Sequence, residues 1–216
     1  MTRPATTRVL YLIVCGAGPA SHAGRPVERA HARGWDVHVI ATPAALDFVD
    51  LPALEAQTGH PLRSRYTRPG KASSTRSLPH AHAIVVAPAT YNTINKWASG
   101  VSDTFALGIL AEAIGLRVPV VVLPFVNAAL AAHPAFRRSL AVLRQADVHI
   151  LHGPGGLEPH EPGTGQSRLD SFPWEGALDE AERLRSQRER NPGERKAGGD
   201  GEDHAHSAAN SADDHE

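Results

Sequence analysis

A three-layer α/β/α sandwich around a doubly wound parallel sheet is the fold class this sequence predicts, and three observations predict it. Short β-branched runs recur along the chain, nearly all apolar, as strands buried on both faces of a parallel sheet require. Between them lie stretches whose apolar residues follow a helical period. Glycine, proline and small polar residues gather directly after the apolar runs, at what would be the carboxyl edge of the sheet. Strands alternating with helices imply right-handed βαβ units of the Rossmann-like or flavodoxin-like kind.

Residues 9–15 form the first expected strand, "VLYLIVC". Arg3 and Arg8 before it and "AGPASHA" after it imitate a secretory signal peptide, but the apolar run is only about seven residues, the lower limit for such a segment. A buried strand feeding a glycine-rich turn explains the same letters, so a cytoplasmic protein is expected. A helix over 22–33 ends at Gly34, a strand follows over 37–42, and a helix over 43–57 ends at Gly59. The third strand covers 83–87, with a helix start at Thr90, Asn92 and Thr93. A helix over 104–114 has Ser102 and Asp103 as cap candidates and stops at Gly115. A strand over 118–123 leads to a helical stretch over 127–145, in which Pro134 starts or kinks a second piece. The last strand covers 148–151.

Beyond it lies a shaped loop rich in Gly and Pro that carries Phe172 and Trp174, then a final helix from Trp174 to about Arg190. From Asn191 large apolar residues all but vanish, so 1–190 reads as one domain and 191–216 as a disordered polar tail. In that tail His204, His206 and His215 stand among acids, where a solvated segment is the simpler expectation than a metal site. Lys+Arg is 22 and Asp+Glu is 23, a net charge of −1 with no electrostatic footprint for nucleic acid or membrane. One cysteine excludes an internal disulfide framework and a multi-cysteine zinc site, and no metal centre is expected.

Three turns at the carboxyl edge carry the ligand signals. "CGAGPASHA" opens a helix, so the backbone at Gly16 and Ala17 could cradle a phosphate, although both the G-x-G-x-x-G fingerprint and the P-loop Lys-Ser/Thr pair are missing. A packing turn explains it equally well. The Thr42 hydroxyl could join the same anion site or simply cap a helix. "AIVVAPATYNTINKWASGVSDT" turns from apolar to polar at Pro88, and Trp97 stands just beyond the pocket. Together the three turns describe a mononucleotide pocket.

These residues resemble the flavoprotein family of homo-oligomeric flavin-containing cysteine decarboxylases, and in particular its phosphopantothenoylcysteine decarboxylase-like members. "ATPAALDFVDLPALEAQTGHPL" is similar to the family's segment after strand two. "APATYNTINKWASGVSDT" resembles its Pro-x-Ser-Ala-Asn-Thr motif, "PFVNAALAAHP" its Pro-x-Met-Asn-x-x-Met-Trp motif, and "GLEPHEPGTG" its substrate-clamping flap. The resemblance implies FMN, contacted or shaped by Gly16, Ala17, Thr42, Pro88, Thr90, Asn92, Thr93, Ser102 and Asp103. It further implies a homotrimer or higher homo-oligomer, and Asn127 as the ligand of a substrate carboxylate.

Departures from the family pattern fall on the chemistry. Ser74 stands at the position of the family's histidine base, and a hydroxyl of ordinary pKa is no general base near neutral pH. Leu130 and Ala131 replace the clamp's Met and Trp, and Pro159 stands near the flap cysteine. Ordinary phosphopantothenoylcysteine decarboxylation is therefore not expected. His80, His82 and His160 are the candidate replacements, while Cys15, in the first turn, reads as core. Three alternatives follow: an FMN-dependent decarboxylase or oxidoreductase acting on another small-molecule or peptide carboxylate, a non-catalytic flavin-binding regulatory or partner-binding protein, or a pocket for a different phosphate ligand.

Overall fold

The computed structural model describes residues 8–66, 78–154 and 156–190. Its strands are β1 (Arg8–Val14), β2 (Trp35–Ala41), β3 (Ala83–Ala89), β4 (Val120–Pro124) and β5 (His149–Ile150), near the five expected runs. They form one parallel sheet in the order β2-β1-β3-β4-β5. This is the flavodoxin-like order, which reverses direction between β1 and β3 and opens a crevice above their carboxyl ends. β1 has neighbours on both sides, so the amino-terminal apolar run is a central strand. The expected last strand over 148–151 shrinks to two residues at the sheet edge, although Leu151 N–H still donates to Val122 O at 2.8 Å.

Alternation along β1 divides the core in two. Leu10, Leu12 and Val14 pack toward α1 (Gly24–Ala32), α2 (Leu51–Thr58) and α7 (Trp174–Arg190). Val9, Tyr11 and Ile13 pack toward α3 (Tyr91–Ala98), α4 (Phe105–Gly115) and α6 (Pro134–Gln145). Both faces are thus covered by helices, as the apolar runs require. Trp97 belongs to the second core, where its indole N–H donates to Leu110 O at 3.2 Å, and so does not border the crevice.

Several helix boundaries differ from expectation for identifiable reasons. The helix expected over 22–33 is α1, and a 3₁₀ turn, Gly18–His22, precedes it, where Pro19 favours a first-turn position. The stretch over 43–57 divides into a 3₁₀ turn, Pro43–Asp47, and α2, whose start is capped by Asp50. The cap of α4 is Thr104, which accepts from Leu107 N–H at 3.2 Å, while Ser102 and Asp103 lie exposed before it. Gly115 stays helical, and the left-handed turn falls on Arg117 with φ 54°. Pro134 separates the short α5 (Ala128–Ala132) from α6, as expected. Among the described residues no helix is long and apolar enough to cross a membrane.

Candidate functional site

The crevice over β1 and β3 is closed by three turns that touch one another. Cys15 N–H donates to Pro88 O at 3.1 Å, and Thr42 N–H donates to Val14 O at 2.9 Å. A Cβ on Gly16 would stand 2.7 Å from Ala44 O and 2.8 Å from Ala44 C, so only glycine lets the first turn lie against the second. The first turn's own hydrogen bonds run from Ala17 to Cys15 and from Ala20 to Ala17, which leaves the Gly16 and Gly18 N–H groups outside them. Both readings of this turn thus have a footing: it packs tightly, and among the described residues two of its N–H groups take no part in its backbone hydrogen bonds.

Thr42 stands at the start of the Pro43–Asp47 turn, buried, yet its hydroxyl makes no capping hydrogen bond. The capping role considered for it is not performed. Thr90 does cap its helix: its Oγ1 accepts from Thr93 N–H at 3.3 Å and lies 3.0 Å from Thr93 Oγ1. Both threonines also hydrogen-bond the wholly buried Cys15 thiol, whose pKa is raised by burial against those bonds. Thr93 is therefore an internal support of the turn. Pro88 is buried at the end of β3 and joined to Ala87 by a cis peptide bond. Asn92 is exposed on the first turn of α3. Asp103 is tied to Lys96 at 2.5 Å, which fixes the loop carrying Ser102.

Tyr91 and Asn95, polar residues of the same motif, serve packing. Tyr91 stacks on Phe136 with centroids 5.8 Å apart, and Asn95 Oδ1 accepts from the Ser139 hydroxyl at 2.6 Å. Both join α3 to α6.

A second group sits beside the crevice, where β4 ends. Phe125 N–H donates to Ala89 O at 2.9 Å, so the chain after β4 runs alongside the end of β3. Asn127 caps α5 through its Oδ1, which accepts from Leu130 N–H at 2.9 Å, and its Nδ2 keeps both hydrogens for another partner. The flap then returns: Ala128 N–H donates to His160 O at 2.8 Å, and Asn127 and His160 form a parallel bridge. The His160 ring lies on Phe125 at 4.6 Å between centroids, in space kept open by Gly165, where a Cβ would approach Nε2 to 2.9 Å. Burial first and the Arg168 charge second lower its pKa, so the imidazole is neutral at neutral pH.

His80 and His82 lie elsewhere. His82 Nδ1 accepts from Val9 N–H at 3.1 Å, which fixes it at the amino edge of the sheet. A seven-residue strand, about 20 Å, separates that edge from the crevice, so neither histidine can reach it within one chain. Neither is therefore a base for this chain's own crevice. Ser74 lies outside the described residues. Pro159 and Ala131 are half-buried near Asn127, and Leu130 is exposed. The pairing of Asn127 with His160 joins residues far apart in the chain, without a periodic signal to announce it.

The sequence profile described as Flavoprotein matches residues 2–170. The chain is 30% identical over 173 residues to the coenzyme A biosynthesis bifunctional protein CoaBC of Mycolicibacterium smegmatis, covering 79% of this chain and 38% of that protein. It is 35% identical over 85 residues to a cysteine/cysteine sulfinic acid decarboxylase of an unknown prokaryotic organism, covering 39% of this chain and 23% of that protein. The chain thus spans well under half the length of these curated relatives. Among solved structures it is similar to the FMN-dependent cysteine decarboxylase TvaF from thioviridamide biosynthesis, with 26% identity and a TM-score of 0.61, covering 81% of this chain and 98% of that one. A parallel sheet with the flavodoxin-like order, three turns meeting at its switch point and a profile match over most of the chain agree: the chain belongs to the flavoprotein family.

Proposed function

We propose that the protein is an FMN-dependent decarboxylase acting on a thiol-bearing carboxylate other than phosphopantothenoylcysteine, either a small molecule or a peptide terminus. The observation that carries this reading is the pairing of Asn127 and His160 beside the crevice. The residues at the switch point fit a flavin mononucleotide: a buried threonine hydroxyl without a capping partner, and N–H groups outside the first turn's own bonds. Gly16, Ala17 and Thr42 would hold the phosphate, and Pro88, Thr90, Asn92, Ser102 and Asp103 would border the ring, with Thr93 behind them. Bound FMN would supply a two-electron acceptor there.

The protein's own groups divide the remaining work. Asn127 Nδ2 donates to the substrate carboxylate and orients it, because Oδ1 is committed to the helix start. His160, neutral at neutral pH, takes a proton from the substrate as it is oxidised. Phe125 and Phe172, in edge-on contact, keep water from that side.

The test is turnover of cysteine-terminated peptides and small carboxylate thiols, followed by carbon dioxide release and flavin bleaching. The protein purifies yellow or takes up added FMN, and His160→Gln lowers turnover by about 10²- to 10⁴-fold with flavin content unchanged. A yellow protein that neither releases carbon dioxide nor bleaches with any of these carboxylates would instead support a regulatory, non-catalytic role. A colourless protein that refuses FMN would remove the flavin from the reading.

A further inference from the structure

We propose that Asp36, His38 and His60 form a binding site for one divalent transition-metal ion, separate from the crevice. Their ligand atoms all lie within 4.8 Å of one another. Asp36 and His38 are two residues apart on the edge strand β2, so their side chains leave the same face of the sheet. His60 is delivered to them by the end of α2. Gly59 takes a left-handed φ of 70°, and Thr58 Oγ1 accepts from His60 N–H at 3.2 Å. Just beyond, the chain pairs with the edge of β2: Arg63 N–H donates to Val39 O at 3.1 Å, and Ala41 N–H donates to Arg63 O at 2.8 Å. Backbone contacts therefore hold all three residues in place independently of any ion.

His38 provides the second, independent observation. It is only 8% exposed, and its Nε2 has no hydrogen-bond partner among the described residues. A buried polar nitrogen in that state calls for a ligand. The Asp36 carboxylate lies beside both rings, with Oδ2 at 3.6 Å from His38 Nε2 and Oδ1 at 2.6 Å from His60 Nε2. Ligands around a tetrahedral zinc ion stand about 3.3 Å apart, so the two carboxylate contacts lie about 0.3 and about 0.7 Å from that spacing, and the widest pair of ligand atoms, within 4.8 Å, closes by side-chain rotation. The two imidazole rings are stacked, with centroids 4.0 Å apart and planes 14° from parallel. An ion shared by both turns the rings out of that stack so that their in-plane lone pairs converge. Two imidazoles and one carboxylate suit Zn²⁺, Co²⁺ or Ni²⁺ and leave a position for water, whereas Mg²⁺ and Ca²⁺ prefer sites made only of oxygen.

The ion would fasten the segment after α2 to the sheet edge. Calorimetric titration of the untagged full chain with Zn²⁺ tests it, with Co²⁺ absorption reporting the geometry. One saturable ion per chain is expected, with tetrahedral Co²⁺ bands in the visible and a midpoint of unfolding raised by about 5 °C in excess Zn²⁺. Asp36→Asn and His60→Ala, both at partly exposed positions, should each weaken binding at least tenfold while the circular dichroism spectrum is kept. Substituting His204, His206 and His215 together by Ala should leave that site intact. The proposal is overturned if the folded chain takes up no stoichiometric Zn²⁺, if Asp36→Asn and His60→Ala bind it as the parent does, or if the tail substitutions abolish uptake.

Discussion

At His160 the surroundings select a protonation state. Burial and Arg168 both disfavour the imidazolium, so the ring remains a base below the ordinary histidine pKa of about 6.5. The acid limb of a pH–rate profile should therefore fall below pH 6.5 and vanish in His160→Gln. A limb above that value would assign it to another group. His38 carries the same direction into stability: burial first, then His60, lowers its folded pKa, against an opposing pull from Asp36. The unfolded state then binds the proton more readily, so the stability of the metal-free protein should decline as the pH drops from about 6.5 through the folded pKa. Denaturant midpoints at pH 7.5 and 5.5 check the sign, and His38→Gln should flatten the difference. The sequence announced residue types here but not their neighbours. The His82 ring accepts from the Val9 amide, a contact made only once two strands lie side by side and so not legible in the sequence.

At the level of elements, apolar runs were legible because strands buried on both faces tolerate little else. Their ends were less so. One expected helix begins as a 3₁₀ turn and another is preceded by one, since a proline near a helix start is compatible with either geometry. The α4 cap fell one residue after the two acceptors singled out for it, and all three are ordinary capping types. Thr104→Ala should cost about 1 kcal/mol, and Thr104→Ser much less, as read from denaturant midpoints. Gly16 raises a different expectation. Because a methyl there meets the Ala44 backbone, Gly16→Ala must part the first two turns. Flavin retention should fall more steeply than the helical signal, and a variant that keeps its full flavin load would show that the turns separate without disturbing the site.

For the whole molecule, the strand order explains why three sequence-distant turns could be placed together from the sequence: each follows a strand in a parallel sheet, so all open toward the same edge. The flap and the Asn127–His160 pairing were not readable in that way, because an irregular segment carries no period. We propose a homotrimer or higher homo-oligomer on family grounds, so light scattering should return at least three times the 23.0 kDa chain mass. A monomer at micromolar concentration would contradict it. Removing residues 191–216, whose composition cannot form a core, should leave both flavin content and the unfolding midpoint unchanged.

Cys15 gives the chain a built-in clock. It is the only sulfhydryl in the sequence, it is wholly enclosed, and Thr90 and Thr93 hold it from the turn that closes the crevice. A thiol reagent can reach it only when the packing around it opens, and the lifting of that turn is one such event, so its labelling rate counts those moments. Anything seated over the turn must lengthen the interval between them by the same factor that measures its occupancy. A colourless ligand could thus be weighed on this protein by a stopwatch and one sulfur atom.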